Sequence, residues 1–148
     1  MTDHQADAVV TRAMEFLLAH DMAGFAGLWA TGGTIEFPFA QPGYPQRIEG
    51  RDAVRAYLRD YTDHVDVRAI TSKLVHETTE PGVVIVEFEV DGVTVATGRP
   101  YVMRYISVIT VRDGEIHGYR DYWSPLAAAE AMGSADTLLS AFSGAGDE

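Results

Sequence analysis

The stretch HGYRDYWSP, residues 117–125, gathers the residue types of acid–base chemistry at regular spacing. His117, Tyr119, Asp121 and Trp123 fall two apart, and residues two apart on an extended strand look to one side. Tyr119, Asp121 and Trp123 then share a face, with Gly118, Arg120 and Tyr122 opposite. A carboxylate beside an indole is partly desolvated, so its pKa rises and it becomes a usable acid or base near neutrality. The same residues also allow a plainer reading, in which this face meets solvent and Arg120 and Asp121 are ordinary surface charges.

The preceding apolar run has a matching pattern. Tyr101, Met103, Tyr105, Ser107 and Ile109 alternate with Val102, Arg104, Ile106, Val108 and Thr110. The first set is bulky and soft, with two phenols and a hydroxyl, as a pocket wall would be; core packing alone explains Met103 and Ile109 equally well. Further upstream, Glu87 and Glu89 share a face opposite Val84, Val86, Phe88 and Val90. Glu89 is kept as a second candidate acid, although two alternating acids also describe a solvated sheet face. His64, His76 and His117 read as surface or cap residues.

Other chemistries lack their residues. The chain has no cysteine, so a thiolate nucleophile, a zinc–thiolate site and a disulfide framework are excluded. The five histidines are scattered singly, and no metal site is expected. Gly-x-Gly-x-x-Gly, P-loop, Gly-x-Ser-x-Gly and His-Glu-x-x-His motifs are missing. Cofactor-independent general acid–base catalysis by carboxylate, imidazole and phenol is what remains.

The elements that must position these residues follow from periodicity. Residues 2–20 have Val10, Ala13, Met14 and Leu17 at helical spacing, with Asp3 and Asp7 near the start. Asp21 reads as the cap of a second helix with Met22, Phe25, Ala26 and Trp29 on one stripe, ended by Gly32-Gly33. A short strand, TIEFPF, follows, marked as an edge by Pro38, then a Pro/Gly loop. RDAVRAYLRDY is a third helix with Val54, Tyr57, Leu58 and Tyr61 on one side. From about Asp66 the period becomes two, giving strands over 66–79, 83–90, 93–111 and 115–123, the third interrupted near Pro100. Pro81-Gly82, Asp91-Gly92 and Asp113-Gly114 are the turns. Ser124-Pro125 caps a helix closed by Gly133, and SADTLLSAF makes a weak last one. Helices gathered on one side of an antiparallel sheet make an α+β fold, and a strongly twisted sheet around helices leaves a ligand cavity.

With 148 residues, 47% of them hydrophobic, the chain reads as one globular domain over 1–148, with 133–148 as a C-terminal extension. Its net charge of −11 argues against nucleic acid as a partner. No signal peptide and no membrane-spanning run is read, so a cytoplasmic location is expected. Ten of the eleven basic residues are Arg and there is no Asn, a bias that suggests a GC-rich bacterial source. The apolar strand face with Val102, Ile106 and Val108 calls for cover, and a homodimer with sheets back to back is expected.

The segment TIEFPFAQPGYPQRIEGRDAVRAYL, followed by the strands and by VITVRDGEIHGYRDYWSPLAAAEAMG, resembles the SnoaL-like family of the nuclear transport factor 2-like superfamily. The resemblance implies the cone-shaped α+β fold of ketosteroid isomerase: a strongly curved antiparallel sheet wrapped around N-terminal helices and enclosing a cavity. Polyketide cyclases, limonene-epoxide-hydrolase-like enzymes and phenazine-biosynthesis proteins are relatives. It implies that Asp121 is the catalytic carboxylate and that Tyr119, Trp123, Met103 and Tyr105 line the pocket. A phenol from Tyr57, Tyr61, Tyr101 or Tyr105 would hold an oxyanion; Tyr105 is taken as the catalytic one and the others as substrate-binding. Epoxide hydrolysis is disfavoured, because the relay positions hold Glu87 and Glu89 and the chain has no Asn. The expected activity is proton transfer on a hydrophobic oxygenated small molecule: cyclisation, isomerisation or dehydration in a secondary-metabolite pathway. The rival readings are a binding protein with the same cavity, an epoxide hydrolase with a changed relay, and a protein-interaction module.

Overall fold

In the computed structural model, residues 4–131 are described. Helix α1 (His4–Leu18) turns Ala6, Val9, Val10, Ala13, Met14 and Leu17 inward, the three–four spacing of one buried helix face. His20 takes a left-handed conformation with φ of 61° and lets the chain reverse. Asp21 Oδ1 accepts from the Gly24 backbone N–H at 2.8 Å and caps α2 (Met22–Ala26), as its side chain and position led us to expect. The remaining elements are β1 (Trp29–Glu36), β2 (Arg47–Glu49), α3 (Arg51–Leu58), α4 (Tyr61–His64), β3 (Val65–Glu77), β4 (Val83–Thr94), β5 (Pro100–Arg112), β6 (Glu115–Tyr122) and α5 (Pro125–Ala131). Gly133 and SADTLLSAF lie outside the described residues.

The six strands form one curved, unclosed sheet in the order β2-β1-β6-β5-β4-β3, with the helices against its inner face. All neighbours are antiparallel except β1 and β6, which run parallel, so the sheet is mixed. The fold class is α+β, as expected.

Four local expectations are corrected. The second helix stops at Ala26, and Trp29 begins β1 instead of extending the stripe from Phe25. Tertiary contacts decide this: Trp29 pairs with Ile116 and its ring stacks on Tyr119, a burial that a longer helix would forfeit. Gly33 lies inside that strand, where a Cβ would collide with the Ile116 carbonyl oxygen. The strand after it is not an edge either: β2 forms inside the expected Pro/Gly loop and covers β1, while Pro38 falls beyond the end of β1.

Asp91-Gly92 is not a turn. Both residues lie in the ladder, where Asp91 pairs with Ala69 and Val102, and Gly92 with Val67 and Tyr101. The ladder with β3 shifts register between Val67 and Ala69, and this bulge pushes the Asp66 carbonyl against the Gly92 α-carbon. Glycine is required there for close approach, not for positive φ. The true reversal spans Thr94 to Arg99, with Gly98 at φ 71°. The third helix also divides: α3 ends at Leu58 and α4 restarts at Tyr61. Among the described residues, no helix is long and apolar enough to cross a membrane.

Candidate active site

The last strand brings the carboxylate to the inner wall. Ser107 pairs with Asp121 and Ile109 with Tyr119 across the β5–β6 ladder, so the inward sets of the two strands meet. Beyond Tyr119 the register slips between Thr110 and Val111, which puts His117 in a bulge. Ile116 and Tyr119 are both buried although three residues apart, which strict alternation forbids. The bulge therefore takes His117 off the face that Tyr119 and Asp121 share, and His117 is not among the cavity residues.

Asp121 lines a cavity of about 410 Å³ enclosed between the helices and the sheet. Met14 and Leu17 of α1 and Met22 and Phe25 of α2 close one side. Phe88 of β4 and Tyr101, Met103 and Tyr105 of β5 form the sheet wall. Tyr119 and Asp121 continue it, and Trp123, just past β6, and Ala128 of α5 complete it. Tyr57 and Tyr61 reach in from α3 and α4. The exposed wall residues Ala56, Arg59 and Asp60 cluster at the end of α3, which marks the mouth there, with His64 beside it. Residues 40–49 contribute no wall residue.

Asp121 is half-buried, and its Oδ1 is shielded and has no hydrogen-bond partner. Burial without compensation pushes its pKa up to about 7. Phenols surround it. The Tyr101 and Tyr105 hydroxyls are 2.6 Å apart, and that of Tyr61 is 3.4 Å from Tyr105. Tyr105 also stacks on Phe88 at 5.1 Å between ring centroids. Burial raises the pKa of all three phenols, and the negative charge of Asp121 raises each further. Tyr57 and Tyr119 are raised by the same two causes, burial first. The Tyr119 hydroxyl accepts from Ser107 Oγ at 3.0 Å. Its ring stacks on Trp29 at 5.3 Å, and the Trp29 indole N–H donates to the Thr34 carbonyl at 3.0 Å.

Of the residues singled out from sequence, Asp121, Tyr105, Tyr119, Trp123, Met103, Tyr101, Tyr57 and Tyr61 all line this one cavity. Glu89 does not, and its expectation is corrected. It points from the outer sheet face, where Thr71 Oγ1 donates to it at 2.7 Å and Arg104 Nε at 3.1 Å. These two bonds, that of Thr71 first, hold its carboxyl below the usual range. Alternation explains the placement: Phe88 is the inward neighbour, so Glu89 and Glu87 must face out, and Glu87 meets His76 at 2.6 Å. Sequence reasoning missed His64 and Phe37 as wall residues. Phe37 follows β1 directly, and His64 was read as a cap because the break between α3 and α4 left no periodic signal. Among the described residues, no group of three or more His, Cys, Asp or Glu could hold a metal ion.

Comparison with known proteins places this geometry. The family model described as SnoaL-like domain matches residues 10–119. The chain is 40% identical over 129 residues to "Uncharacterized protein YesE" of Bacillus subtilis, covering 87% of this chain and 88% of that protein. It is 36% identical over 140 residues to "Uncharacterized PhzA/B-like protein PA3332" of Pseudomonas aeruginosa, covering 95% and 99%. A crystal structure described as "Putative Isomerase from Bacillus subtilis" matches at a TM-score of 0.85 and 40% identity, covering 88% of this chain and 94% of that one. A Catenulispora acidiphila protein of ketosteroid isomerase-like fold matches at a TM-score of 0.67 and 17% identity, covering 85% and 92%; that likeness concerns the fold alone.

Proposed function

The chain belongs to the SnoaL-like family, and on that premise we propose that it is an acid–base enzyme that moves a proton next to the carbonyl of a hydrophobic, oxygenated small molecule. One observation carries the proposal: the Asp121 carboxylate stands uncompensated in an aromatic-walled cavity, with a pKa of about 7. A base of that pKa is half-ionised near neutrality, so it can take a proton and give it back. Asp121 removes the hydrogen from the carbon next to the carbonyl, and the electron pair of that C–H bond moves to the carbonyl oxygen as an enolate. A phenol stabilises the developing negative charge, a role for which Tyr105 and its neighbours are the candidates. Where a C=C bond is conjugated with the enolate, Asp121 returns the proton to its far carbon and the double bond shifts, an isomerisation. Alternatively the enolate carbon bonds to a second carbonyl carbon of the same molecule and Asp121 gives its proton to the alkoxide formed, a cyclisation. Trp123 and Met103 hold the substrate and exclude water. The description "Putative Isomerase" of the Bacillus subtilis relative supports this class of chemistry.

A model reaction tests the reading without the natural substrate. In deuterated buffer, the protein should accelerate hydrogen–deuterium exchange at the acidic carbon of β-tetralone, followed by proton NMR. Asp121→Asn should lower that rate at least about a hundredfold while the variant stays folded. A wild-type rate no faster than buffer, or an undiminished rate in the variant, overturns the proposal.

The proposed assembly is a homodimer through the outer sheet face. Leu74, Glu87, Ile106 and Tyr122 form one row across four strands, and Leu74 and Ile106 are 56% and 45% exposed in the single chain. Val102 adds to this apolar area. Burying it against a second copy would remove it from water.

A further inference from the structure

The last strand carries an unspent hydrogen-bond donor and an unspent acceptor two residues apart on the cavity wall. Tyr119 and Asp121 are two apart on β6 and both line the cavity. The only hydrogen-bond partner of the Tyr119 hydroxyl among the described residues is Ser107, which donates to it. That bond occupies a lone pair of the phenol oxygen and leaves the phenol's own hydrogen unused. The Asp121 carboxylate lines the cavity and accepts no hydrogen bond among the described residues, its Oδ1 being shielded by its surroundings. The hydroxyls of Tyr61, Tyr101 and Tyr105 hydrogen-bond one another as a separate cluster. Ser107 is fully buried and stands directly opposite Asp121 in the ladder, so one serine neighbours the carboxylate through the register and the phenol through its hydrogen bond.

We infer that Tyr119 and Asp121 form a two-point clamp for a carbonyl oxygen and the acidic hydrogen on the atom next to it, with Ser107 as the positioning residue that sets the direction of the phenol hydrogen. A donor beside an acceptor is complementary to an acceptor beside a donor. An enolisable ketone has that pattern as C=O next to C–H, and a cyclic amide has it as C=O next to N–H. The inference rests on the reading of this cavity as a small-molecule site and deepens it: Tyr119, not the three-phenol cluster, receives the oxygen. Much of the remaining wall is apolar, with Met14, Leu17, Met22, Phe25, Phe88 and Met103 available to hold the rest of the ligand. The cavity of about 410 Å³ has room for a ligand of two fused rings.

Carbostyril, a two-ring cyclic amide that cannot undergo the reaction, is the probe, titrated at about pH 8, where a carboxyl of pKa about 7 is ionised. It should bind at least about tenfold more tightly than N-methylcarbostyril, which lacks the N–H. Asp121→Leu should abolish that preference. Tyr119→Phe and Ser107→Ala should each weaken binding several-fold, and Ser107→Ala should have no further effect in the Tyr119→Phe background. The infrared carbonyl band of bound carbostyril should sit at lower frequency in the wild type than in either variant, and Ser107→Thr should restore it. Tyr105→Phe should leave the band in place. Equal affinity for the two amides, an unmoved band in both variants, or the absence of saturable binding overturns the inference. If carbostyril follows this pattern while β-tetralone does not exchange, the proton-transfer reading fails alone. If exchange proceeds without the pattern, the clamp fails alone.

Discussion

Asp121 faces Ser107 directly across the β5–β6 ladder, and Ser107 turns its hydroxyl to Tyr119, two residues before Asp121, instead of to the carboxylate. The nearest polar side chain across the ladder therefore leaves the acid uncompensated. A charged group shielded from water must be paired, neutralised or costly. Asp121 has no such partner, so burial raises its pKa and the fold favours the protonated form.

That preference is visible in stability. The folded pKa of about 7 lies above the ordinary 3.8. The stabilising effect of the proton is thus fully present below about pH 4 and is lost as pH rises through about 7. At about 1.4 kcal/mol per pH unit the cost of ionisation is on the order of 4 kcal/mol, less where cavity water screens the charge. Asn mimics the neutral acid, so Asp121→Asn should raise Tm over the wild type at about pH 8 by an amount worth about 2–4 kcal/mol. Calorimetry at about pH 4 should find the two proteins within about 0.5 kcal/mol. A gap that does not depend on pH would mean that the carboxyl is not strained by burial.

The inward faces of the last two strands were legible in the sequence because period two survives wherever one side packs on a core. Tyr101, Met103, Tyr105, Tyr119 and Asp121 all fell where alternation put them. What alternation cannot contain is a bulge. His117 left the shared face because one extra residue enters β6, and Gly92 looked like a turn because Asp-Gly usually is one. Trp29 was assigned to a helix because it follows Phe25 by four; its pairing with β6 is a long-range contact with no local mark. Likewise Ser107 reads as one hydroxyl on a wall, and only its hydrogen bond in the structure shows that it serves Tyr119. The acids of β4 illustrate the converse: the pattern correctly separated Glu89 from Phe88 but could not say which of the two faced the cavity.

Two glycines separate close approach from backbone strain. Gly92→Ala should cost about 2–3 kcal/mol, because the new methyl meets the Asp66 carbonyl, a backbone atom that can retreat only by breaking the β3–β4 bulge. Gly114 has a φ of 75° and nothing within 4 Å of its missing Cβ, so Gly114→Ala should cost only about 1–2 kcal/mol from the left-handed conformation. Urea unfolding of both variants checks the order. If Gly114→Ala were the worse, the role assigned to Gly92 would be wrong.

The proposed dimer can be dissociated without touching the cavity. Ile106 lies on the outer face opposite Glu87, with 45% of its surface exposed in the single chain. Ile106→Glu puts a charge into the proposed interface and a like charge beside Glu87, a local cost of about 0.2–1 kcal/mol within the monomer. Ile106→Lys places the same burden on the interface but pairs favourably with Glu87. Sedimentation should give a dimer for the wild type and a monomer for both variants, with circular dichroism unchanged. A wild-type monomer at micromolar concentration refutes the assembly.

The dependence of the exchange reaction on pH follows from the same electrostatics. Asp121 must be ionised to take a proton, so kcat/KM for β-tetralone should rise with slope one below about pH 7 and level off above it. A descending limb requires a second group to lose a proton. The phenols of the wall cannot supply one at moderate pH, because burial and the Asp121 charge push Tyr57, Tyr101, Tyr105 and Tyr119 above their ordinary value. The profile between about pH 5 and pH 9 should therefore be a single rising step and not a bell. Asp121→Glu tests who owns the step: a longer carboxylate in the same place should keep a rising limb but move its midpoint, because its burial differs. A midpoint that stays at the wild-type position in that variant would assign the ionisation to another residue.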